Sequence, residues 1–590
     1  MRRWWSELGV VLLGLVLSAY AWWPALSAYP HNQTGDGPLF QEVVEAARVS
    51  WVHWRELPLW NPYQCGGVPL WDNPEGLGAA PTMWIFLPFG ATRAIELWFV
   101  THVLAAFVSM WLFARKDLLL SAPASIFAAC VWAFCGYFEQ HLSGGHLSWV
   151  AFAYLPLGLF LWRRAEKDVR FAIGLGMLVA LEMHEGATYA LPHMVVLLGA
   201  ETLTRAWPPR RLLLIARAGA IVAVVGLCLS ATRTLPVLDQ LRSHTRELGD
   251  ETDALQWTTI KDMFVSRTHS RVVPGQQYVW PEFAAYVGPF VLALGIIGVF
   301  VGGLESMWLV ALLVFSFALM LGHADKYAPW TVLKAHLYPF KEMRVPSRFN
   351  AAVTMFIAVF AAIAVDRIGE RVRRVFRSIR VRDSVRLALL VIAFVGVGDI
   401  ITVGIEWGST CFSGAPSDSK IAVSPRLYIA ATGLAQFTDQ PTQGLARTEC
   451  WGEWSFHKDA PVWLGDVPQA HAENTAEAVV DHVVRTQNSF RFDVQAHQPT
   501  RILLNTTYDH GWRTNVGEVA AYNEDLLAVD VPAGSGHVVV HYWPHGLTLG
   551  IWLTSLSSIA IAAFFVWDSR RRRGVPSASA RVPSPPAPLP

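Results

Sequence analysis

The chain has 590 residues, of which 53% are hydrophobic and 16% charged, against roughly 25% charged in an ordinary soluble domain. Lysine and arginine number 47, aspartate and glutamate 46, for a net charge of +1, so bulk charge points neither to nucleic acid nor to an acidic solvating role. Twenty-seven tryptophans suit membrane interfaces, and the composition as a whole excludes a polar disordered chain, a disulfide-rich secreted module and a simple soluble enzyme.

A helix that crosses about 30 Å of hydrocarbon needs about 20 apolar residues. Windows of that kind run near 7–28, 95–114, 121–138, 147–162, 171–185, 187–204 and 212–232, then near 284–302, 304–321, 348–366, 386–406 and 547–567. Twelve spans are therefore expected, the fifth and sixth meeting at Glu182, His184 and Glu185. With the N-terminus in the cytoplasm, the clusters Arg2-Arg3, Arg115-Lys116, Arg163 to Arg170, Arg205 to Arg211, Arg367 to Arg386 and Arg570 to Arg573 all fall on one side, as the positive-inside rule requires. The first apolar run is long for a signal peptide, and its removal would break that pattern, so a retained helix is expected.

The spans divide the chain. Residues 1–407 form a polytopic transmembrane domain with a large first external loop at 29–94. Residues 408–546 form an extracytoplasmic β-rich domain, 547–567 the last transmembrane helix, and 568–590 a basic and then Pro/Ser/Ala-rich cytoplasmic tail. A further external segment lies near 233–283. The expected fold is mainly α with an extracytoplasmic β-sandwich near the C-terminus.

In the first loop, Phe40, Val43, Val44, Ala47, Trp51 and Trp54 share one helical face, which predicts an interfacial helix lying on the outer leaflet. Leu57 to Asp72 is too rich in Pro and Gly for regular structure, and Leu77 to Phe89 is apolar but too short to span, so it is read as re-entrant or interfacial. In the β-rich region the alternating runs Phe490 to Val494, Arg501 to Asn505, Leu527 to Val531 and His537 to Tyr542 predict strands, with a turn at Pro532 to Gly536. Cys411 and Cys450 both lie in this external region, and whether they pair stays open. Cys130, Cys135 and Cys228 read as packing residues within spans.

Several polar groups stand where chemistry at the outer face would need them. Asp36, in Gly35-Asp36-Gly37-Pro38, reads either as the cap of the following helix or as a general base. Asp72 and Glu75 are further carboxylates of the same loop. Arg344 and Arg348 flank Pro346-Ser347 on the external side; they read as a forked anion grip or as side chains snorkelling to headgroups. His141 and His146, in Gln140-His-Leu-Ser-Gly-Gly-His146, read as a metal pair or as hydrogen-bonded interfacial histidines. Glu182, His184 and Glu185 form a costly polar break at membrane depth. No Gly-x-x-x-x-Gly-Lys, dinucleotide fingerprint or His-Glu-x-x-His is present, so no nucleotide cofactor is expected.

In order along the chain, Gly35-Asp36-Gly37-Pro38, Pro58-Leu-Trp-Asn-Pro-Tyr63, Gly67-Val-Pro69, Leu235-Pro236 with Ser243 and Arg246, Tyr286-Val-Gly288, Arg344-Val-Pro-Ser-Arg-Phe349, Gly511-Trp512, Val531-Pro-Ala-Gly534 and Tyr542-Trp-Pro544 resemble the bacterial YfhO-type membrane proteins. That family in turn resembles the GT-C integral-membrane glycosyltransferases. The resemblance implies a protein of the bacterial inner membrane that moves a sugar from a polyprenyl-phosphate donor, with inversion, to a glycan, lipid or protein acceptor at the outer face. It implies Asp36 as catalytic base and Arg344 or Arg348 at the donor phosphate, with Asp72, Glu75, His141, His146, Glu182, His184 and Glu185 as a candidate secondary set. The cofactor stays open between a divalent metal and none. The chain departs from the pattern at Glu182-Met-His-Glu-Gly186, where a Gly-His-Pro-Gln-like stretch is expected. Two other functions fit the same composition: a transporter or flippase of lipid-linked glycans, and a non-catalytic scaffold for envelope assembly.

Overall fold

The fold is that of a computed structural model, which describes residues 2–27, 31–32, 35–244, 253–267, 273, 275–376, 378–413, 427–430, 440–450, 462–523 and 525–573. Arg246 and the tail from 574 lie outside them. Among the described residues, six helices are long and apolar enough to cross a membrane: Ala91–Asp117, Ala122–Ser143, Arg210–Leu229, Pro346–Val375, Ile379–Gly408 and Leu547–Arg572. A seventh crossing arises if the pair Gly288–Val301 and Leu304–Met320, bent by 113°, is one broken span. The count of twelve is therefore not matched by length. Windows 284–302 and 304–321 are the arms of the bent pair, and those near 147–162, 171–185 and 187–204 hold helices of 11, 16 and 15 residues.

The chain is a multi-pass, mostly helical membrane protein. Its central helix, Asn350–Val375, is buried at every residue from Asn350 to Ala364. The alanines there give a thin helix that neighbours can approach closely, as helix packing in lipid requires. At Gly298 the approach is tightest, because a Cβ would collide with the Phe360 carbonyl oxygen. Leu213, Val224, Phe300, Leu387, Val395 and Ile559 are exposed. Such an apolar surface is what lipid solvates. At one end, Arg163 pairs with Asp117 at 2.6 Å and Glu201 at 2.7 Å, and Arg205 pairs with Glu166 at 3.2 Å, so part of the expected cytoplasmic charge is neutralised in place.

The β-region is a sandwich of two four-stranded antiparallel sheets. One runs in the order Glu518–Tyr522, Leu526–Val531, Thr500–Thr507, Ala470–Ala472. The other runs Trp512–Thr514, Gly534–Tyr542, Ser489–Ala496, Ala478–Arg485. All four predicted strands fall inside these elements. Phe490, Phe492 and Val494 of one sheet pack on Ile502, Leu504 and Val529 of the other in one core, the period-2 burial that a half-buried strand dictates.

The first loop is part of that core. Trp60 is 1% exposed, with Trp512 and Tyr542 at ring distances of 5.0 and 4.6 Å. Its Nε1 donates to Thr506 Oγ1 at 3.3 Å. The stretch expected to lack regular structure contributes one two-residue antiparallel pairing, Trp60–Asn61 with Val68–Pro69.

One expectation is corrected here, and one open pairing is answered. The helix Gly37–Arg48, continued by a wide turn at Val49–Trp54, does not lie on a leaflet surface, because every residue from Gln41 to Ser50 is buried. Its polar face meets protein: Glu42 pairs with Arg447 at 2.8 Å, and Gln487 Nε2 donates to the Ala46 carbonyl at 2.9 Å. The disulfide of Cys450 is with Cys65, 385 residues away, at a Cα separation of 4.5 Å. It ties the first loop to the segment 440–450. The side chain of Cys411 lies outside the described residues.

Candidate functional site

Two glycine turns make the floor of the site. Gly35 and Gly145 hold φ at +54° and +78°, a region that L side chains rarely adopt. A Cβ on Gly35 would strike the Gly144 carbonyl, and one on Gly145 would strike the Gly37 nitrogen. Only glycine allows the two turns to touch, and the touch is a hydrogen bond from Asp36 N to Gly144 O of 2.9 Å. Asp36 stands at the N-cap of the helix Gly37–Arg48, yet its carboxylate makes no capping bond. Its side chain is 42% exposed and turns towards His146, with Oδ2 at 3.7 Å from Nε2.

Behind Asp36 lies a buried polar cluster. His141 lies in the last turn of the short helix Gly136–Ser143, and the bond from His146 N to His141 O at 2.8 Å folds the chain back. The two Nδ1 atoms lie 3.1 Å apart, so one ring donates to the other. His146 Nε2 also lies 3.8 Å from Glu282 Oε1. Burial, and then the nearby Arg348 charge, hold His146 well below the ordinary histidine range, so it is a neutral imidazole.

Glu282 belongs to the turn Trp280–Glu282, fixed by Ser347 Oγ on the Glu282 carbonyl at 3.1 Å. Its carboxylate receives the fork of Arg348, Nε at 2.9 Å and Nη2 at 2.8 Å. The guanidinium lies over Trp149 at 3.7 Å and Tyr189 at 4.1 Å, a cation–π clamp on a desolvated charge. The chain enters the turn Pro346–Phe349, which carries Arg348, through Val345, a β-branched residue at φ +59°. That strain costs about 1–3 kcal/mol and sets the directions of Arg344 and Arg348.

Beyond Tyr189 opens a cavity of about 420 Å³, walled by Met183, Leu191, Val237, Leu238 and Leu241, with Glu75 and Glu342 on its lining. Arg344, half-buried, donates its backbone N–H to Tyr189 Oη at 3.4 Å. Of the predicted residues, Asp36, His141, His146 and Arg348 thus come together, and Glu75 borders the adjoining cavity.

The others sit elsewhere. Glu185 is held by Thr82 at 2.7 Å and lies 3.1 Å from His102 Nε2, with Glu182 buried close by. His184 Nε2 lies 3.0 Å from Thr232 Oγ1. Asp72 lies at the junction with the sandwich, receiving the Tyr542 hydroxyl at 3.0 Å. Burial, then the neighbouring Asp509 charge, push its carboxyl up to about 8. Arg233, beside it, donates to the carbonyls of Trp71, Asn73 and Gly76 and is brought down to about 10 by burial. The Asp72–Tyr542 bond fastens the loop to the sandwich, and Arg233 fastens it to the helix Ala231–Ser243.

Sequence reasoning missed Glu282, Trp149 and Tyr189. The one local signal for Glu282 is its place in Trp280-Pro281-Glu282, just ahead of the Tyr286-Val-Gly288 block.

No family model and no curated protein matches the chain. Among solved structures, the single-particle cryo-EM structure of the arabinofuranosyltransferase AftD from Mycobacteria is similar, with 16% identity, a TM-score of 0.45, and coverage of 70% of this chain. The chain spans 27% of that protein's length.

Proposed function

We propose that the protein is an integral-membrane glycosyltransferase of the GT-C kind, using a polyprenyl-phosphate-linked sugar and an acceptor hydroxyl at the outer face of the bacterial inner membrane. The observation that carries this reading is the meeting of three unlike features within one site. A reachable carboxylate, Asp36, faces His146 of the buried cluster, and Tyr189 is shared by the Arg348 guanidinium, the Arg344 backbone and an apolar cavity. A lipid-linked donor needs those three things: a base, a cationic grip at headgroup depth and room for an apolar chain. The ordered motif blocks of the sequence support the same reading.

In the proposed reaction the acceptor oxygen bonds to the anomeric carbon while the polyprenyl phosphate leaves with the bonding pair, and Asp36 takes the hydroxyl proton. Positive charge near the departing phosphate lowers the barrier. Both donor nitrogens that Arg348 turns to Glu282 are spent there, so Arg348 serves chiefly to hold that wall, and Arg344 is the better candidate for the phosphate.

The test is polyprenyl-phosphate release in detergent, with a panel of lipid-linked sugars and a crude envelope-glycan acceptor, for wild type beside Asp36→Asn. Release by the wild type that a folded Asp36→Asn lacks is the expected result. Equal release by both keeps the transferase and removes Asp36 as its base. No release, with a known glycosyltransferase active in the same detergent, turns the reading over to a transporter or a scaffold.

A further inference from the structure

The histidine pair holds more than a positioning role for Asp36 requires. His141, His146 and Glu282 come from two separate parts of the chain, all three are buried, and one ligand atom from each lies within 4.8 Å of the others. Two Nδ1 atoms at 3.1 Å share a single proton. Whichever ring holds it, His141 Nε2 is left buried with no hydrogen-bond partner among the described residues, an arrangement that costs free energy at a protein interior. When His141 donates through Nδ1, its Nε2 lone pair meets no donor, and a cation held by one nitrogen of each ring and a Glu282 oxygen would take up lone pairs that the protein leaves unsatisfied.

We propose that His141, His146 and Glu282 form a binding site for one divalent transition-metal ion, Zn²⁺ or Mn²⁺. Two imidazoles and one carboxylate suit such ions, whereas Mg²⁺ and Ca²⁺ take oxygen ligands. The salt bridge to Arg348 does not consume Glu282, because a carboxylate offers about four lone-pair sites and the guanidinium fork takes one on each oxygen. The charges facing the site are Glu282 and Asp36 against Arg348, a balance that a divalent ion reverses in sign. Metal bonds of about 2.0–2.2 Å require the three side chains to draw in from their present spacing. The open side is bordered by Asp36, 3.7 Å from His146 Nε2. The proposal is independent of the glycosyl-transfer reading and is tested without turnover.

The full-length protein, carrying an affinity tag free of histidine, would be stripped with chelator in detergent and dialysed against Zn²⁺, Mn²⁺ or Mg²⁺ separately. Metal content would then be read by mass spectrometry. The background is His482→Asn/His537→Asn, which removes the exposed imidazoles that share Asp493 at 2.9 and 2.8 Å. One equivalent of Zn²⁺ or Mn²⁺ per chain, and none of Mg²⁺, is expected, with loss of that equivalent in His141→Asn and in Glu282→Gln. Should those variants fail to fold, pulsed electron paramagnetic resonance of Mn²⁺ bound to the unsubstituted pair should show imidazole nitrogen couplings. Substoichiometric metal, retention of the equivalent in folded His141→Asn, or a Mn²⁺ signal without nitrogen coupling overturns the site.

Discussion

A methyl group at Gly145 would collide with the Gly37 nitrogen and lie 2.5 Å from the Asp36 carbonyl carbon, on a backbone already at φ +78°. Gly145→Ala therefore has to push the two turns apart, and overpacking of this kind costs about 1–3 kcal/mol. The expected outcome is a lower melting temperature in detergent together with loss of donor release, since Asp36 is carried on the displaced turn. Asp72 gives a prediction of a different kind. Its carboxyl is raised to about 8 in the folded protein from an ordinary 3.8, so the folded state binds the proton more tightly than the unfolded one. Stability from this group is then complete below the unfolded value, falls as pH rises between about 4 and about 8, and is level above that. Asp72→Asn cannot ionise. Its melting temperature should gain on wild type across that window and hold a constant lead above it, as thermal scans over a pH series would read.

Among the elements, the helix Gly37–Arg48 shows how far a sequence pattern reaches. Its apolar face, at Val43, Val44 and Ala47, was legible, and so was the helix. Amphipathicity states that one face is polar but not what that face will meet; here Glu42 meets Arg447, some 400 residues on in the chain. Strand alternation, by contrast, reports burial directly, and the sandwich strands were legible for that reason. Cysteine pairing was not, because spacing alone cannot select a partner across 385 residues. Glu282 escaped for a similar reason, since a three-residue turn carries no periodicity and its meaning comes from Arg348, 66 positions away. The interlocked loop and sandwich predict large effects. Trp60→Ala should destabilise by about 3–5 kcal/mol, and Cys65→Ser by about 2–4 kcal/mol. Reductant should lower the melting temperature of the wild type and leave Cys65→Ser unchanged.

For the whole molecule, the expected orientation sends the arginine clusters to the cytoplasm and the sandwich outside. Single cysteines introduced at two exposed positions test it, with Cys65, Cys130, Cys135, Cys228, Cys411 and Cys450 controlled for by the parent protein. Val479→Cys, on the sandwich, should react with a membrane-impermeant maleimide in intact cells. Leu203→Cys, beside Arg205, should react only once the membrane is opened. Both positions are exposed, at 47% and 78%, so a missing signal reports sidedness.

The insertion of Trp60 into the sandwich also sets a timetable for biosynthesis. Thr506, which receives the Trp60 indole, is synthesised 446 residues after it. At about 5–20 residues per second, the first loop waits roughly 20–90 s for the strands that cover it. During that interval Leu59, Trp60 and Trp71 have no sandwich core to enter. A nascent chain stalled before residue 500 should therefore bind general chaperones of its compartment through this loop, and one stalled past Tyr542 should release them.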